Sequence, residues 1–363
     1  MEKLKNTVLN IEEVNKESFK ETQSRLDNLT KPLGSLGRLE ELSKQIVAIT
    51  RKENPILKNK VIFTLAGDHG VVEEGVSAYP KEVTPQMVYN FLRGGAGVNV
   101  LARQVGCKVV VVDIGVAEKL KIEDSRLKIQ DCKFVSKKIN YGTRNFAKEF
   151  AMTKDEAIRT VEAGIELVEE ELNEGVDILG TGDMGIGNTT PSSAIAAVAC
   201  GKSVEEVTGR GTGIDDKIYK NKISAIKKAI EFHKPKSDDA IDILSKIGGY
   251  EIAGIAGVIL GGARYKIPVV IDGFISGAGA LLAYKLQPKV KDYIIASHLS
   301  FEPGHKIMLE YLGLKPILSL DMRLGEGTGS VLGIFIVEAS CKILSEMATF
   351  KDAGVSNFSP HTF

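Results

Sequence analysis

Six short and nearly unbroken apolar runs limit what this chain can fold into: Val61-Ile62-Phe63-Thr64-Leu65, Val109 to Val112, Val176 to Leu179, Val269-Val270-Ile271, Tyr293 to Ala296 and Ile317 to Leu320. Runs without polar alternation are the pattern of strands buried on both faces, and such strands occur in parallel sheets covered by helices. Helical stretches separate most of them: Pro85 to Val105, Lys154 to Asn173, Pro191 to Cys200, Lys217 to Phe232, Asp239 to Ile247 and Lys306 to Leu312. This alternation predicts a doubly wound α/β domain.

The two ends read differently. The first 55 residues are charged and helix-friendly, broken at Lys31-Pro32-Leu33-Gly34-Ser35-Leu36-Gly37, after which Leu39, Leu42, Ile46 and Ile49 recur at helical spacing. An amphipathic helix from Gly333 to Met347 is expected to return onto them. The division expected is therefore a small helical domain from residues 1–55 and 335–363 beside a large Rossmann-like domain over 56–334.

Charge and cysteine usage narrow the partners. Lys+Arg and Asp+Glu both total 47, so no net field draws the chain to nucleic acid or an anionic membrane. The best apolar stretch, Val331 to Val337, is too short to span a bilayer and is followed by Glu338 and Lys342. Cys107, Cys132, Cys200 and Cys341 lie far apart, which suits reduced, buried thiols in a cytoplasmic protein. The 37 glycines exceed the usual ~7%, and many fall just after the apolar runs.

In an open parallel sheet, ligands bind beyond the carboxyl ends of the strands. Here those ends read Ala66-Gly67-Asp68-His69-Gly70, Asp113-Ile114-Gly115, Gly180 through Thr190, Asp272 through Gly277, Ser297-His298-Leu299-Ser300 and Asp321 through Gly329. Gly180-Thr181-Gly182-Asp183-Met184-Gly185 matches the G-x-G-x-x-G dinucleotide template. It lacks the second strand and acidic residue about 20 positions on that a dinucleotide site needs. A phosphate cradle fits better, with Asn188, Thr189 and Thr190 capping a helix that begins at Pro191. The other reading of this segment is a glycine-rich turn with an ordinary cap.

Glu326, between glycines in Leu324-Gly325-Glu326-Gly327, suits a general base whose pKa is raised by adjacent apolar surface; the alternative is a surface carboxylate in a turn. His298, Glu302 and His305 are broken from a shared helical face by Pro303-Gly304, so they and Asp68-His69 read as hydrogen-bonding struts rather than metal ligands. No G-x-S-x-G elbow or Cys-His pair supports covalent catalysis. Lys217, after Arg210-Gly211-Thr212-Gly213, reads equally as a phosphate contact or a solvated lysine.

Taken together, Gly67-Asp68-His69-Gly70-Val71, Gly185-Ile186-Gly187-Asn188-Thr189-Thr190-Pro191, Leu244 to Gly249, Asp272-Gly273-Phe274, Arg323-Leu324-Gly325-Glu326-Gly327 and Lys31 to Glu40 resemble the nicotinate-nucleotide–dimethylbenzimidazole phosphoribosyltransferase family over nearly the whole chain. The resemblance implies a Rossmann-like six-stranded parallel sheet, a small helical domain from both chain ends, and a homodimer. It implies transfer of phosphoribose from nicotinate mononucleotide to 5,6-dimethylbenzimidazole in cobalamin biosynthesis, with inversion to α-ribazole 5′-phosphate. The catalytic base falls on Glu326. Donor contacts fall on Asp183, Gly185, Gly187, Asn188, Thr189, Thr190, Lys217, Asp272 and Ser300, and the base pocket on Tyr79, Gln86, Met87 and Leu324. No cofactor and no metal are implied, since a pyridinium leaves without pyrophosphate. Asp183 stands where some members carry Glu, and Tyr79 is bulky for its place, which opens the acceptor to adenine, other benzimidazoles or phenols. The competing functions are an NAD(P)-dependent oxidoreductase resting on the 180–185 glycines and a non-catalytic nucleotide- or base-binding protein of the same fold.

Overall fold

A computed structural model describes residues 1–122, 132–211 and 213–356. Its centre is a six-stranded sheet of β1 (Lys60–Gly67), β2 (Cys107–Gly115), β3 (Cys132–Ser136), β4 (Ile178–Met184), β5 (Val269–Ile271) and β6 (Ile294–Ala296). The strands run in the order β3-β2-β1-β4-β5-β6, every neighbouring pair parallel. That is the doubly wound order, and its reversal falls between β1 and β4.

Successive residues of β1 serve opposite faces of the sheet. Val61, Phe63 and Leu65 enter one apolar core and Ile62 and Ala66 the other, as a period of two requires. The first core is roofed by the helices Lys154–Glu174, Tyr250–Arg264 and Phe274–Leu286, the second by Val83–Leu92, Gly97–Val105 and Thr328–Glu346.

Five of the apolar runs lie in or overlap strands, and Ile317 to Leu320 does not. Its backbone bonds to Ala296, Ser297 and Leu299 just past β6, with a single bridge between Leu318 and His298, and then peels away with Leu320 exposed. Ser319 and Leu320 are exposed, so burial does not drive it to extend as a strand. The sixth strand is β3 at the opposite edge, whose Cys-Lys-Phe-Val-Ser sequence mixes polar and apolar residues because an edge strand is only half covered.

Other boundaries move for local reasons. The stretch from Pro85 to Val105 is two helices, parted at Arg93 to Ala96 where Gly94 takes φ +73°. Tyr250–Arg264 and Phe274–Leu286 escape a periodicity reading because they are apolar all round and almost wholly buried. The last long helix begins at Thr328 rather than Gly333. At 19 residues it is long and apolar enough by composition to cross a membrane, contrary to the sequence reading, but much of it is buried here. Ser330 Oγ donates to the Thr181 and Val270 carbonyls, and Leu344 packs with Leu26, Leu29 and Val47.

The tightest helix contact joins Lys154–Glu174 to Tyr250–Arg264. A Cβ on Gly164 would run into the Gly254 carbonyl oxygen and sit 2.9 Å from the Gly257 Cα. Backbone cannot yield as a flexible side chain can, so Gly164→Ala is expected to destabilise the protein by about 1–3 kcal/mol. Urea unfolding checks this, and an unchanged midpoint would show that the two helices separate freely.

Candidate active site

At the reversal in strand order the loops leaving β1 and β4 turn to opposite sides and open a crevice. Into it comes the segment ahead of the Thr328–Glu346 helix. Gly182 in β4 has no side chain, and a Cβ there would overlap the carbonyl of Glu326, so glycine alone lets this segment lie on the sheet. Glu326 itself has φ +64°, a conformation L side chains seldom adopt. Two bonds hold it there: Thr64 Oγ donates to the Glu326 carbonyl at 2.8 Å, and the Glu326 N–H donates to the Asp183 carbonyl at 3.2 Å. A strained non-glycine residue fixed from both sides is what functional sites accumulate.

The Glu326 side chain is buried, and its Oε2 accepts the Val98 N–H at 3.0 Å, at the start of the Gly97–Val105 helix. Burial raises its pKa above the ordinary carboxylate value, opposed by the Val98 and Gly97 amides. Leu324, expected to supply that burial, is 60% exposed, and it is the enclosure by Gly97, Val98 and the sheet that does so. A carboxylate whose pKa is raised by burial is a better proton acceptor than an ordinary one.

Two more carboxylates crowd the same floor. Asp272 is fully buried; burial lifts its pKa to about 7, against amides of Gly327, Gly329 and Ser330. Its Oδ2 accepts from Gly327 N at 3.0 Å and its Oδ1 from Gly329 N at 2.7 Å. Asp272 therefore anchors the N-terminus of the helix that follows Glu326, where an acidic group is favoured. Asp183 is raised well above the usual value by burial and then by Asp272 and Glu251, while the Asn188 amide donates to its Oδ2 at 3.0 Å.

The Gly185–Thr190 turn differs from the expected cap. Its helix starts at Thr189, and Asn188 makes no capping bond because its side chain is engaged with Asp183. The Thr190 hydroxyl is buried without a partner, and Thr189 Oγ accepts from Lys222 Nζ at 2.8 Å. Sequence reasoning chose Lys217, which is exposed on the same helix, Asp216–His233. Lys222, five positions on, is fully buried, also bonds the Gly209 carbonyl, and has its pKa lowered to about 8 by burial, with Glu302 opposing. A lysine on an otherwise apolar helix face was the signal that could have found it. Thr212 lies outside the described residues.

Ser300 is buried beside the crevice, its N–H donating to His305 Nδ1 at 3.0 Å. Gln86 and Tyr79 are exposed and Met87 is half-buried, on or just before the Val83–Leu92 helix; Leu324 lies against Gly97. Gly180 and Gly182 sit inside β4, pressed on Ile62, Ser330 and Glu326, so they form no dinucleotide turn. His69 Nε2 pairs with Glu251 at 2.8 Å, both side chains fully buried. Burial opposes the His69 charge but Glu251 outweighs it and raises the pKa, whereas burial lowers His298 to about 4 and His305 to about 3. Among the described residues no three His, Cys, Asp or Glu side chains are grouped to hold a metal.

Three comparisons bear on this geometry. A family model described as "Phosphoribosyltransferase", DBI_PRT, matches residues 11–355. The chain is 54% identical over 357 residues to a protein of Geobacter sp. (strain M21) named nicotinate-nucleotide–dimethylbenzimidazole phosphoribosyltransferase, covering 98% of this chain and 100% of that one. It is 55% identical to a protein of the same name from Geotalea uraniireducens (strain Rf4), covering 98% and 99%. The crystal structure of CobT from Thermus thermophilus superposes with a TM-score of 0.88 at 43% identity, over 94% of this chain and 100% of that one.

The buried lysine yields a pH-dependent test. Its folded pKa of about 8 lies below the ordinary 10.5, so between those values the unfolded chain binds more protons and stability rises with pH. Lys222→Met should flatten that rise while leaving the melting temperature at pH 7 unchanged or higher, because no buried ammonium remains to be desolvated. Unfolding curves at several pH values between 7 and 10.5 check it; parallel profiles for the two chains would show that Lys222 is not desolvated.

Proposed function

The chain belongs to the phosphoribosyltransferase family that matches residues 11–355, and on that basis we propose how its residues divide the work. It transfers the phosphoribosyl group of nicotinate mononucleotide to 5,6-dimethylbenzimidazole, giving α-ribazole 5′-phosphate and nicotinate. Glu326 is the base. The observation that carries this is its carboxylate, fixed by a strained backbone above the strand reversal with its pKa raised.

The glycosidic nitrogen of the donor is already a pyridinium, so nicotinate departs without a proton being delivered to that nitrogen. The azole nitrogen bonds to C1′ as the C1′–pyridinium bond breaks, and the azole N–H proton passes to Glu326. Attack from the face opposite the leaving group inverts the linkage from β to α. What the protein supplies is alignment and one proton acceptor.

Lys222, Thr189 and Thr190, with the Gly185–Gly187 turn, hold the phosphate. One buried and one half-buried hydroxyl with an ammonium at a helix N-terminus fit a phosphomonoester, whose charge would keep Lys222 protonated. Asp183, steadied by Asn188, faces the ribose hydroxyls. Ser300 lines the nicotinate side, and Asp272 acts through the Glu326 segment. Tyr79, Gln86, Met87 and Leu324 take the acceptor base. Tyr79 and Leu324 are half exposed or more, and we assign their cover to a second copy of the chain in a homodimer. Four unpaired cysteines, three of them buried, support a cytoplasmic setting.

Glu326→Gln keeps the size and the amide contacts but not the basicity. It should bind nicotinate mononucleotide normally and lose kcat by about 10²–10⁴-fold, together with the acid limb of the wild-type pH profile. Mass detection of α-ribazole phosphate measures this, and turnover near the wild-type rate would remove Glu326 as the base.

A further inference from the structure

Thr84 is fully buried at the second residue of the Val83–Leu92 helix. Its hydroxyl oxygen accepts the N–H of Ile186 at 3.1 Å, 102 positions along the chain. Ile186 is the second residue of the Gly185–Thr190 turn and is itself buried. One side chain thus ties the helix that follows β1 to the turn that leaves β4.

The helix's N-cap, Glu82, makes no side-chain capping bond. Thr84 and Gln86 lie about 200° apart around the axis, so the helix is held from its buried side while Gln86 is exposed on the other.

We propose that Thr84 is a positioning residue for the transfer. Its bond to Ile186 locks the helix carrying Gln86 and Met87 to the turn carrying Asn188, Thr189 and Thr190, and so sets the separation between acceptor base and phosphoribosyl donor. It rests on the assignment of those two segments to the two substrates. In a reaction joining two bound molecules, each substrate binds one segment, but the chemical step requires both in register, and small misplacement costs far more in rate than in binding. Losing the hydroxyl leaves the buried Ile186 N–H without a partner, and the turn must shift to find one.

The test uses the full chain and the variants Thr84→Val, Thr84→Ala and Thr84→Ser, with nicotinate mononucleotide and dimethylbenzimidazole varied in turn. Removing the hydroxyl in Val and Ala should lower kcat by about 10- to 100-fold. The Kd for nicotinate mononucleotide alone, from calorimetry, should stay within about threefold, and Ser should stay within about threefold of wild type in kcat. Ala and Ser differ by the hydroxyl alone, so they decide the matter where Val does not fold. The proposal is overturned by a folded Ala or Val chain with kcat near wild type, by Ser falling as far as Ala, by a loss confined to the KM of one substrate, or by a Thr84→Ala chain that does not fold. Wild-type protein in the same assay separates this from failure of the substrate assignment, which would appear as no α-ribazole phosphate from any chain.

Discussion

Everything in the crevice depends on the backbone of Glu326 lying directly on β4. A side chain at position 182 would hold the two apart, and the segment would then lose its bonds from Thr64 and to Asp183 together. Those bonds come from the two strands that flank the sheet's reversal, so the carboxylate is referenced to the most rigid part of the molecule rather than to a loop. Two polar bonds and a close packed contact also offset the unfavourable φ of a non-glycine residue, which costs on the order of 1–3 kcal/mol. The strain is thus stored where it aims the proposed base.

The second constraint is electrostatic. Asp183, Asp272 and Glu326 share one buried floor, each with a raised pKa in which burial is the largest cause. Like charges in a low dielectric resist ionising together, so each needs its own compensation. Asp272 receives two backbone amides, Asp183 a side-chain amide, and Glu326 the N-terminus of the Gly97–Val105 helix. Of the three, Asp272 is the most fully engaged, with both oxygens bonded, which suits a structural anchor. Glu326 is held chiefly through Oε2 on Val98, which leaves its carboxylate room to accept more. A proton acceptor needs that remaining capacity.

Much of this was legible in the residues and some was not, for physical reasons. Strands buried on both faces announce themselves, so the apolar runs cover most of β1, the middle of β2 and all of β5 and β6. Edge pairing does not, because an edge strand such as β3 carries half a polar pattern and an apolar run such as Ile317 to Leu320 can remain uncovered. Helices in the centre of a large core lose the polar face that gives periodicity, which hid Tyr250–Arg264 and Phe274–Leu286. The motif around Glu326 was visible because glycines on both sides are a local signature. Lys222 left a fainter signal, one lysine on an otherwise apolar face, because its burial depends on which face of an 18-residue helix turns inward.

Glycine has two separate uses here, which composition cannot tell apart. Gly182, Gly185 and Gly97 let backbone approach backbone or the Glu326 carboxylate at the crevice. Gly164 and Gly257 do nothing at the crevice; they let two helices pack with their backbones in contact, while Gly254 lets the second of them close on Leu65 and Ile114 of the sheet. The second use serves the first. The Tyr250–Arg264 helix carries Glu251, which pairs with His69 beneath Gly185, so drawing that helix inward also fixes the floor under the Gly185–Thr190 turn. An excess of glycine therefore reads as a lined cavity only in part, and the remainder is the close packing that keeps the cavity's floor from moving.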